Sequence, residues 1–589
     1  MLSCDALEDC FTLISDCTII YMRKSVILTI LVEGINMVKL SKMMCYTLAL
    51  WLIAGGNANV SAASMGGIDP GAQMERDHRD MERERVLEQI AEDEAARGNK
   101  VEKEDAPPAD DAVTEVSFEL KKVTWNSSEI LTSEEIQNIV NGYIGRQITL
   151  QDLREMTERI TDLYKEKGYM TCGAVLPPQT IHEGVVEIQL IEGKTGNVAI
   201  TGNNHTSRGY ITNSLGLKSG EIVNTDKLNQ ALRWFHGTND IQLRVVVKPG
   251  TEEKTTDYEI VVFEPQNQNI TLYMDNDGYE TSGRWRQGIF YNMRSLTGHR
   301  DRLRASYLRS QGTRSWSFGY GFPISNKGMK LVLDYSTNNT EVVSGELRPL
   351  GVQGKSNYFA LTWQVPFSVT ESSRHEAGLQ YVHQTAKTEL GHGTDLVVLG
   401  VNDKIKRFIP YVSFTHYGNN SVVYHKHSFI FANRSDISGR SETAKIYRLN
   451  SFWQNRYKSG QFLQVRLDGQ FTSDKHLGAS DRLFIGGVNS VRGYEEGFIG
   501  GEKGLTAGIE YHIPMDKEKH FFFFPFLDWG SVAGETAPEH RTLVSAGIGF
   551  EARYKNVYGT LTLGFPFKKD FYNNKISSAR LDFSLSATF

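Results

Sequence analysis

The sequence predicts a mixed chain: an N-terminal helix, two tandem α+β units, then a transmembrane antiparallel β-barrel of about 16 strands. Three observations carry this expectation. From about Asn267 to Phe589 apolar and polar residues alternate with period two, and the polar set contains charges. Beyond the N-terminal region no run of about 18 apolar residues occurs, so no helix is expected to span a membrane. An export-type segment precedes all of it. The average composition, 40% hydrophobic and 23% charged, looks soluble, but a barrel with one apolar and one polar face has the same mean. With 64 basic and 70 acidic residues there is no basic excess, and nucleic acid is not expected as a partner.

Residues 1–62 read as an upstream extension plus signal peptide. Lys39 and Lys42 precede the apolar stretch 43–53, and small residues follow up to Val60-Ser61-Ala62. Cleavage is expected after Ala62, with Ala58 as the alternative. Met37 is a better start than Met1, and Met22 competes with it. Cys4, Cys10, Cys17 and Cys45 fall in this removable part, so the mature chain keeps only Cys172 and forms no internal disulfide. Cys172 reads as a buried small apolar residue.

Residues 63–97 form a charge-dense helical segment, clearest over 73–97, with Met74, Met81, Leu87 and Ile90 as its few apolar positions. A helix of ~25 residues is roughly 38 Å long. It lacks a broad face with which to join a core. Two readings stand open: a solvated arm, or a helix lying in a water-filled lumen. Residues 98–112, with Pro107-Pro108, read as a linker.

Two α+β units follow, at 113–194 and 195–265. In the first, residues 116–120 alternate as a strand. Thr132 with Glu135 and Thr149 with Asp152 make helix-opening capping boxes. Leu153, Met156, Ile160 and Leu163 mark a helical face, and strands are expected near 174–176 and 185–191. The second unit echoes the first at an offset of about 75 residues, too long for a solenoid repeat. It has an expected turn at 235–240 and strands at 242–248 and 257–263. Neither unit holds a nucleophile–base pair, a phosphate loop or a metal cluster, so binding rather than catalysis is expected of them, with no cofactor and no metal.

The segment 266–589 is the barrel. Gln464, Arg466, Asp468 and Gln470 alternate with Leu463, Val465, Leu467 and Gly469, and Leu581, Phe583, Leu585, Ala587 and Phe589 with Asp582, Ser584, Ser586 and Thr588. Charges on the polar side suit a water-filled lumen better than the core of a β-sandwich. About 320 residues at about 20 per strand and loop give about 16 strands. Tyr411, Tyr417 and Trp453 read either as interfacial girdle residues or as ordinary packing.

Inside the barrel segment, Ile485-Gly486-Gly487-Val488-Asn489-Ser490-Val491-Arg492-Gly493-Tyr494 resembles the hallmark of the two-partner secretion transporters, the haemolysin secretion/activation (TpsB, ShlB-like) family. Phe526-Leu527-Asp528-Trp529-Gly530 resembles that family's second barrel motif. Asp275-Asn276-Asp277-Gly278 and Thr281-x-Gly283 are similar to its barrel start. The likeness covers nearly the whole mature chain, with the tandem units similar to POTRA domains. It implies an outer-membrane pore that receives an unfolded exoprotein in the periplasm and passes it to the cell surface; some relatives also activate what they export. It implies a helix that occupies the lumen at rest. It also implies a loop (Val491, Arg492, Gly493, Tyr494) folded into the barrel, with Arg492 paired to Asp528 on the wall. Phe526 and Gly530 belong to the wall motif, and the terminal Phe589 resembles a barrel-insertion signal. Implied partners are a secreted exoprotein (haemolysin, adhesin or contact-dependent toxin), outer-membrane lipid and, during biogenesis, the barrel-assembly machinery, around a monomeric pore. The rival from the same superfamily is a barrel-assembly factor, which usually carries more tandem units and no helix. The rival from another class is a passive solute porin, which needs neither the Arg492 loop nor the tandem units. An enzyme is not expected: no Ser/His/Asp set, carboxylate pair or metal cluster stands out.

Overall fold

The computed structural model describes residues 69–96, 101–103, 117–252, 254–345, 348–392, 399–435, 441–571 and 574–589. The expected upstream extension, signal peptide and cleavage points, and most of the 98–112 linker, lie outside the described residues.

Helix α1 (Pro70–Ala96) comes first, followed by the short strand β1 (Glu102–Lys103). The first α+β unit runs β2 (Phe118–Glu119), β3 (Lys122–Trp125), α2 (Ser133–Val140), β4 (Gln147–Ile148), α3 (Leu150–Glu166), β5 (Cys172–Val175) and β6 (Val185–Glu192). Both capping boxes are present, Thr132 with Glu135 opening α2 and Thr149 with Asp152 opening α3. Each such cap is worth about 0.5–2 kcal/mol. Leu153, Met156, Ile160 and Tyr164 recur at helical spacing and bury against Val186, Ile188 and Leu190, the inward alternate residues of β6. Cys172 sits in the same core, where burial pushes its thiol up to about 11, so it packs rather than reacts.

The second unit runs β7 (Lys194–Thr201), α4 (Arg208–Leu215), α5 (Thr225–His236), β8 (Gln242–Pro249) and β9 (Thr255–Phe263). Its sheet has the order β1-β8-β9-β7. The turn expected at 235–240 begins later, because the buried side chains of Phe235 and His236 continue α5 through its last turn. Neither β7 nor α4 was legible in the sequence. Gly196 and Asn197 break the alternation of β7 at a register shift between Thr195 and Val198. Helix α4, Arg-Gly-Tyr-Ile-Thr-Asn-Ser-Leu, is made of weak helix formers and stands on its buried Tyr210, Ile211 and Leu215.

Sixteen antiparallel strands, from Gln268–Asp275 to Arg580–Thr588, close into a barrel in which those two pair with each other. Phe589 extends the seam: its N–H donates to Ile270 O at 2.8 Å, and Ile270 N–H donates back at 3.0 Å. The predicted alternation sorts cleanly. On the last strand Arg580 and Asp582 are buried inside while Leu581 and Phe589 face outward; on Lys503–Pro514, Glu510 and His512 face in and Ile509 out. Charges on the outer face would meet hydrocarbon at a cost of several kcal/mol, on the order of 2–4 for a basic residue at the midplane. Tyr411 and Tyr417 are not girdle residues. The Tyr411 ring lies 4.1 Å from the Lys426 ammonium, and Tyr417 Oη donates to Asp93 Oδ2 of α1 at 2.5 Å, both inside the barrel. Trp453 follows Phe452, which packs inward against α1, and so takes the outer face.

Tight turns such as 370–372 and 418–420 mark one end of the barrel, and the long 472–502 segment leaves the other. The second unit docks on the tight-turn end. Ser207 N–H donates to Gly298 O at 2.9 Å, Trp234 Nε1–H to Lys327 O at 2.9 Å, and Ser295 Oγ–H to His205 O at 2.6 Å.

Candidate functional site

Of the two readings open for the charged N-terminal segment, the structure has the second geometry: α1 lies in the lumen. A helix that is polar on all sides needs partners on all sides, and the barrel's inward faces supply them. Glu75 meets Arg448 at 2.7 Å and Arg407 at 3.5 Å, Glu82 pairs with Lys426, Arg83 meets Asp468 at 3.0 Å, and Arg85 meets Asp334 at 3.0 Å. The apolar positions are used sparingly. Met74 packs with Tyr358, Ala360 and Val382, and Ile90 with Tyr417 and Val422. The cavity left beside α1 is about 290 Å³. Charged and aromatic side chains, among them Arg302, Arg374 and Tyr424, line it.

The loop between the strands Phe462–Phe471 and Lys503–Pro514 folds back into the barrel. Leu483–Ile485 and Ile499–Gly501 pair as a small hairpin, and between them Val491 and Tyr494 are fully buried with Ile485, Val532 and Leu543. Arg492 Nε donates to Asp528 Oδ2 at 2.7 Å and Nη2 to Oδ1 at 2.8 Å, a two-pronged fork, while its backbone N–H donates to Oδ2 at 3.1 Å. Its Nη1 lies 2.8 Å from Glu510 Oε1, and the guanidinium stands 3.6 Å from the Phe526 ring centroid. Arg466 Nη2 is 3.8 Å from Asp528 Oδ1. Two arginines thus balance two carboxylates. A buried, balanced group of this kind adds little net stability, because desolvation offsets attraction, yet removing one member costs about 3–5 kcal/mol.

Glycines make room for this contact. Gly493 has φ +86°, a conformation that only glycine adopts at little cost. It lies against the wall at Gly564, where an added Cβ would come within 2.6 Å of Gly493 N. A Cβ at Gly530 would meet Val491 Cγ2 at 2.9 Å. Tyr494 Oη donates to Val544 O at 3.0 Å, so the buried ring's one polar atom is satisfied.

Helix, loop and second unit are tied to one another. Arg76 of α1 reaches Glu496 of the loop at 2.5 Å, and Arg83 Nη1 donates to Asn489 Oδ1 at 3.0 Å and to Asn489 O at 3.2 Å. At the opposite end Asp240, just before β8, accepts from Arg300 Nε at 2.7 Å, Arg294 Nη1 at 3.0 Å and Arg302 Nη2 at 3.2 Å. Arg294 and Arg302 also hold Glu88 and Glu92 of α1 at 2.8 to 3.2 Å. Burial pushes the Asp240 carboxyl up, but the Arg300 hydrogen bond and the neighbouring guanidiniums outweigh it and hold the group well below the usual carboxylate range.

The structure therefore brings Val491, Arg492, Gly493, Tyr494, Phe526, Asp528 and Gly530 into one site, and leaves Phe589 apart at the barrel seam. Sequence reasoning missed Glu510, Glu496, Gly564 and the Asp240 hub, and it named Asn489 within the loop motif without its contact to Arg83 of α1. Each of these residues is a single polar or small one whose partner lies elsewhere in the chain, and no motif marks the pairing.

Comparisons with known proteins agree with this architecture. Residues 118–193 match the POTRA domain of ShlB type, and residues 255–552 match the haemolysin secretion/activation protein ShlB/FhaC/HecB. The heme/hemopexin transporter protein HuxB of Haemophilus influenzae strain 86-028NP is 23% identical over 438 residues, covering 71% of this chain and 76% of the relative. The outer membrane transporter CdiB of Dickeya dadantii is 23% identical over 415 residues, covering 67% and 72%. The solved structure of CdiB from Escherichia coli superposes with a TM-score of 0.63 at 17% identity, covering 89% of this chain and 100% of that one. The fold, the POTRA match and the match over just over half of the chain place it plainly: it belongs to the ShlB/FhaC/HecB family of haemolysin secretion/activation proteins, outer-membrane two-partner secretion transporters with periplasmic POTRA domains.

Proposed function

We propose that the lumen is a polypeptide passage closed by two parts, α1 as a plug and the Arg492 loop as a lock, which open as a secreted exoprotein arrives from the periplasm. The observation that carries this is the direct tie between the parts, Arg76 to Glu496 and Arg83 to Asn489. A helix and a loop that share ion pairs release each other when either moves. The helix is suited to leaving because in largely buried charge pairs such as Arg76–Glu496 and Glu75–Arg448 desolvation offsets most of the attraction, so exchanging both partners into water carries little net cost. The tandem units receive the cargo, with the second unit taking the same part as the first. The chain carries no nucleotide-binding motif, so directionality comes from the cargo, whose folding outside prevents return. The pore works as a monomer and a channel rather than an enzyme, reaching the membrane through the barrel-assembly machinery with Phe589 as part of its insertion signal. The cargo is a large exoprotein of the two-partner type.

Arg492→Ala tests the lock. Export of the co-expressed partner should fall at least tenfold while the amount of heat-modifiable, inserted barrel is unchanged. Arg492→Lys keeps the charge but loses the fork and should fall between. Wild-type export by the alanine variant at equal barrel levels would remove the loop from the mechanism.

A further inference from the structure

The second unit does not end at its own strands. The strand β1, which belongs to the linker after α1, adds in parallel to the outer edge of β8, with Glu102 opposite Val246 and Lys103 opposite Val247. Val101 N–H donates to Asn229 Oδ1 of α5 at 3.0 Å, and the Val101 side chain packs against the unit's core. Glu102 faces the other way and forks onto Arg244, at 2.6 Å to Nη2 and 3.1 Å to Nε. An edge strand carries a row of unsatisfied backbone donors and acceptors that any extended chain can complete. Here the protein completes part of that row with itself.

The hold is shallow. Among the described residues, two are in register along a β8 strand of eight, and the Glu102–Arg244 pair is about half exposed on both sides. Exposed ion pairs contribute about 0–1 kcal/mol, and each hydrogen bond adds a net of only about 0.5–1.5 kcal/mol. A longer strand would make more of both. Ala96, the end of α1, is only five positions before Val101, so whatever displaces β1 also releases the tether on the periplasmic end of α1. What then still holds that end includes the partly exposed Glu94–Arg456 pair at 2.8 Å and the Glu92 contacts.

We propose that the outer edge of β8 is a strand-acceptor site for the exported partner, occupied at rest by the chain's own linker, so that cargo binding and release of α1 are one exchange. This rests on the secretion reading above. The chemistry of the edge specifies the occupant: an extended segment with an apolar residue in the Val101 place, over α5, followed by an acidic residue facing Arg244. The main-chain ladder provides affinity and these two side-chain positions provide choice.

The test is a reversible lock in the full chain. Neighbouring strands run about 4.8 Å apart, within the span of a disulfide, so Glu102→Cys/Val246→Cys should cross-link in membranes. Oxidised, this variant should export its co-expressed partner at least tenfold less than the same molecules when reduced, while the wild type treated with the same oxidant exports as before; the same molecules serve as their own folding control. In a second arm, a photoreactive residue at Val246 should capture the linker at rest and the partner during export, while one at Val261 on β9 captures neither. Export that is indifferent to oxidation, a disulfide that does not form, or capture of the linker but never of the partner would each overturn the exchange. Loss of export by the wild type itself would instead sink the transporter reading and this inference with it.

Discussion

At Gly564 the barrel wall has no side chain, and the loop backbone fills the gap. Gly564→Ala puts a methyl within 2.6 Å of Gly493 N, backbone against backbone, with no flexible group to give way. Overpacking of this kind costs about 1–3 kcal/mol, enough to lift the loop from its seat. A Ser490→Cys reporter in that background should therefore react with a membrane-impermeant thiol reagent several times faster than in the wild type; an unchanged rate would show that the close approach does not hold the loop. The contrast between Gly564 and Arg492 shows what a sequence discloses at this scale. Val491-Arg492-Gly493-Tyr494 and Phe526-x-Asp528 are contiguous and carry rare combinations, so both halves of the fork were legible. Glu510 and Gly564 are single residues in strands full of polar residues and glycines, and only the folded register places them against Arg492 and Gly493.

Helix α1 was half legible. Its length, charge and few apolar positions were plain, but its partners Arg294, Arg302 and Lys426 lie hundreds of residues away, so composition alone could not choose between solvent and lumen. Reversing Glu88 and Glu92 to lysine sets like charges against Arg294, Arg302 and Arg304. In planar bilayers the Glu88→Lys/Glu92→Lys variant should spend several-fold more time in a high-conductance state than the wild type, and raised salt, which screens the pairs, should narrow the difference. Unchanged conductance would show that these pairs do not retain the helix. In the second unit, the last turn of α5 carries a pH dependence. His236 Nε2 accepts the Leu243 N–H at 2.9 Å, and burial lowers its pKa from 6.5 to about 4. The imidazole is neutral in the fold, so the full stability is present above about 6.5. As pH falls below 6.5 the unfolded chain takes up a proton that the folded one does not, and stability is lost down to about 4, by up to about 3 kcal/mol. Hydrogen exchange of the full chain should show α5 and β8 opening more readily at pH 5 than at pH 7.5, and His236→Gln should flatten that difference. Equal exchange at both pH values would contradict it.

Across the whole molecule, the period-two rhythm made the barrel legible because membrane and water impose opposite demands on alternate residues of every strand. The first α+β unit was legible through its capping boxes and its helical face. The second was less so: β7 and α4 depend on tertiary contacts for residues whose own preferences are weak. Least legible was the wiring between parts, from the second unit through Asp240 to Arg294 and Arg302, on to Glu88 and Glu92, and up α1 to Glu496 and Asn489 of the loop. This chain of contacts runs from the periplasmic mouth of the barrel to the folded-in loop, and it gives a signal at one end a physical route to the other. The central claim is that cargo crosses through the lumen that α1 now fills. It is tested most directly by placing a photoreactive residue at Ser413, which lines the lumen, and in a separate chain at Phe408, which is 48% exposed on the outer face, then irradiating cells during export. The account predicts that the partner is captured from Ser413 and not from Phe408. Capture from Phe408 alone, or from neither position while export proceeds, would contradict it.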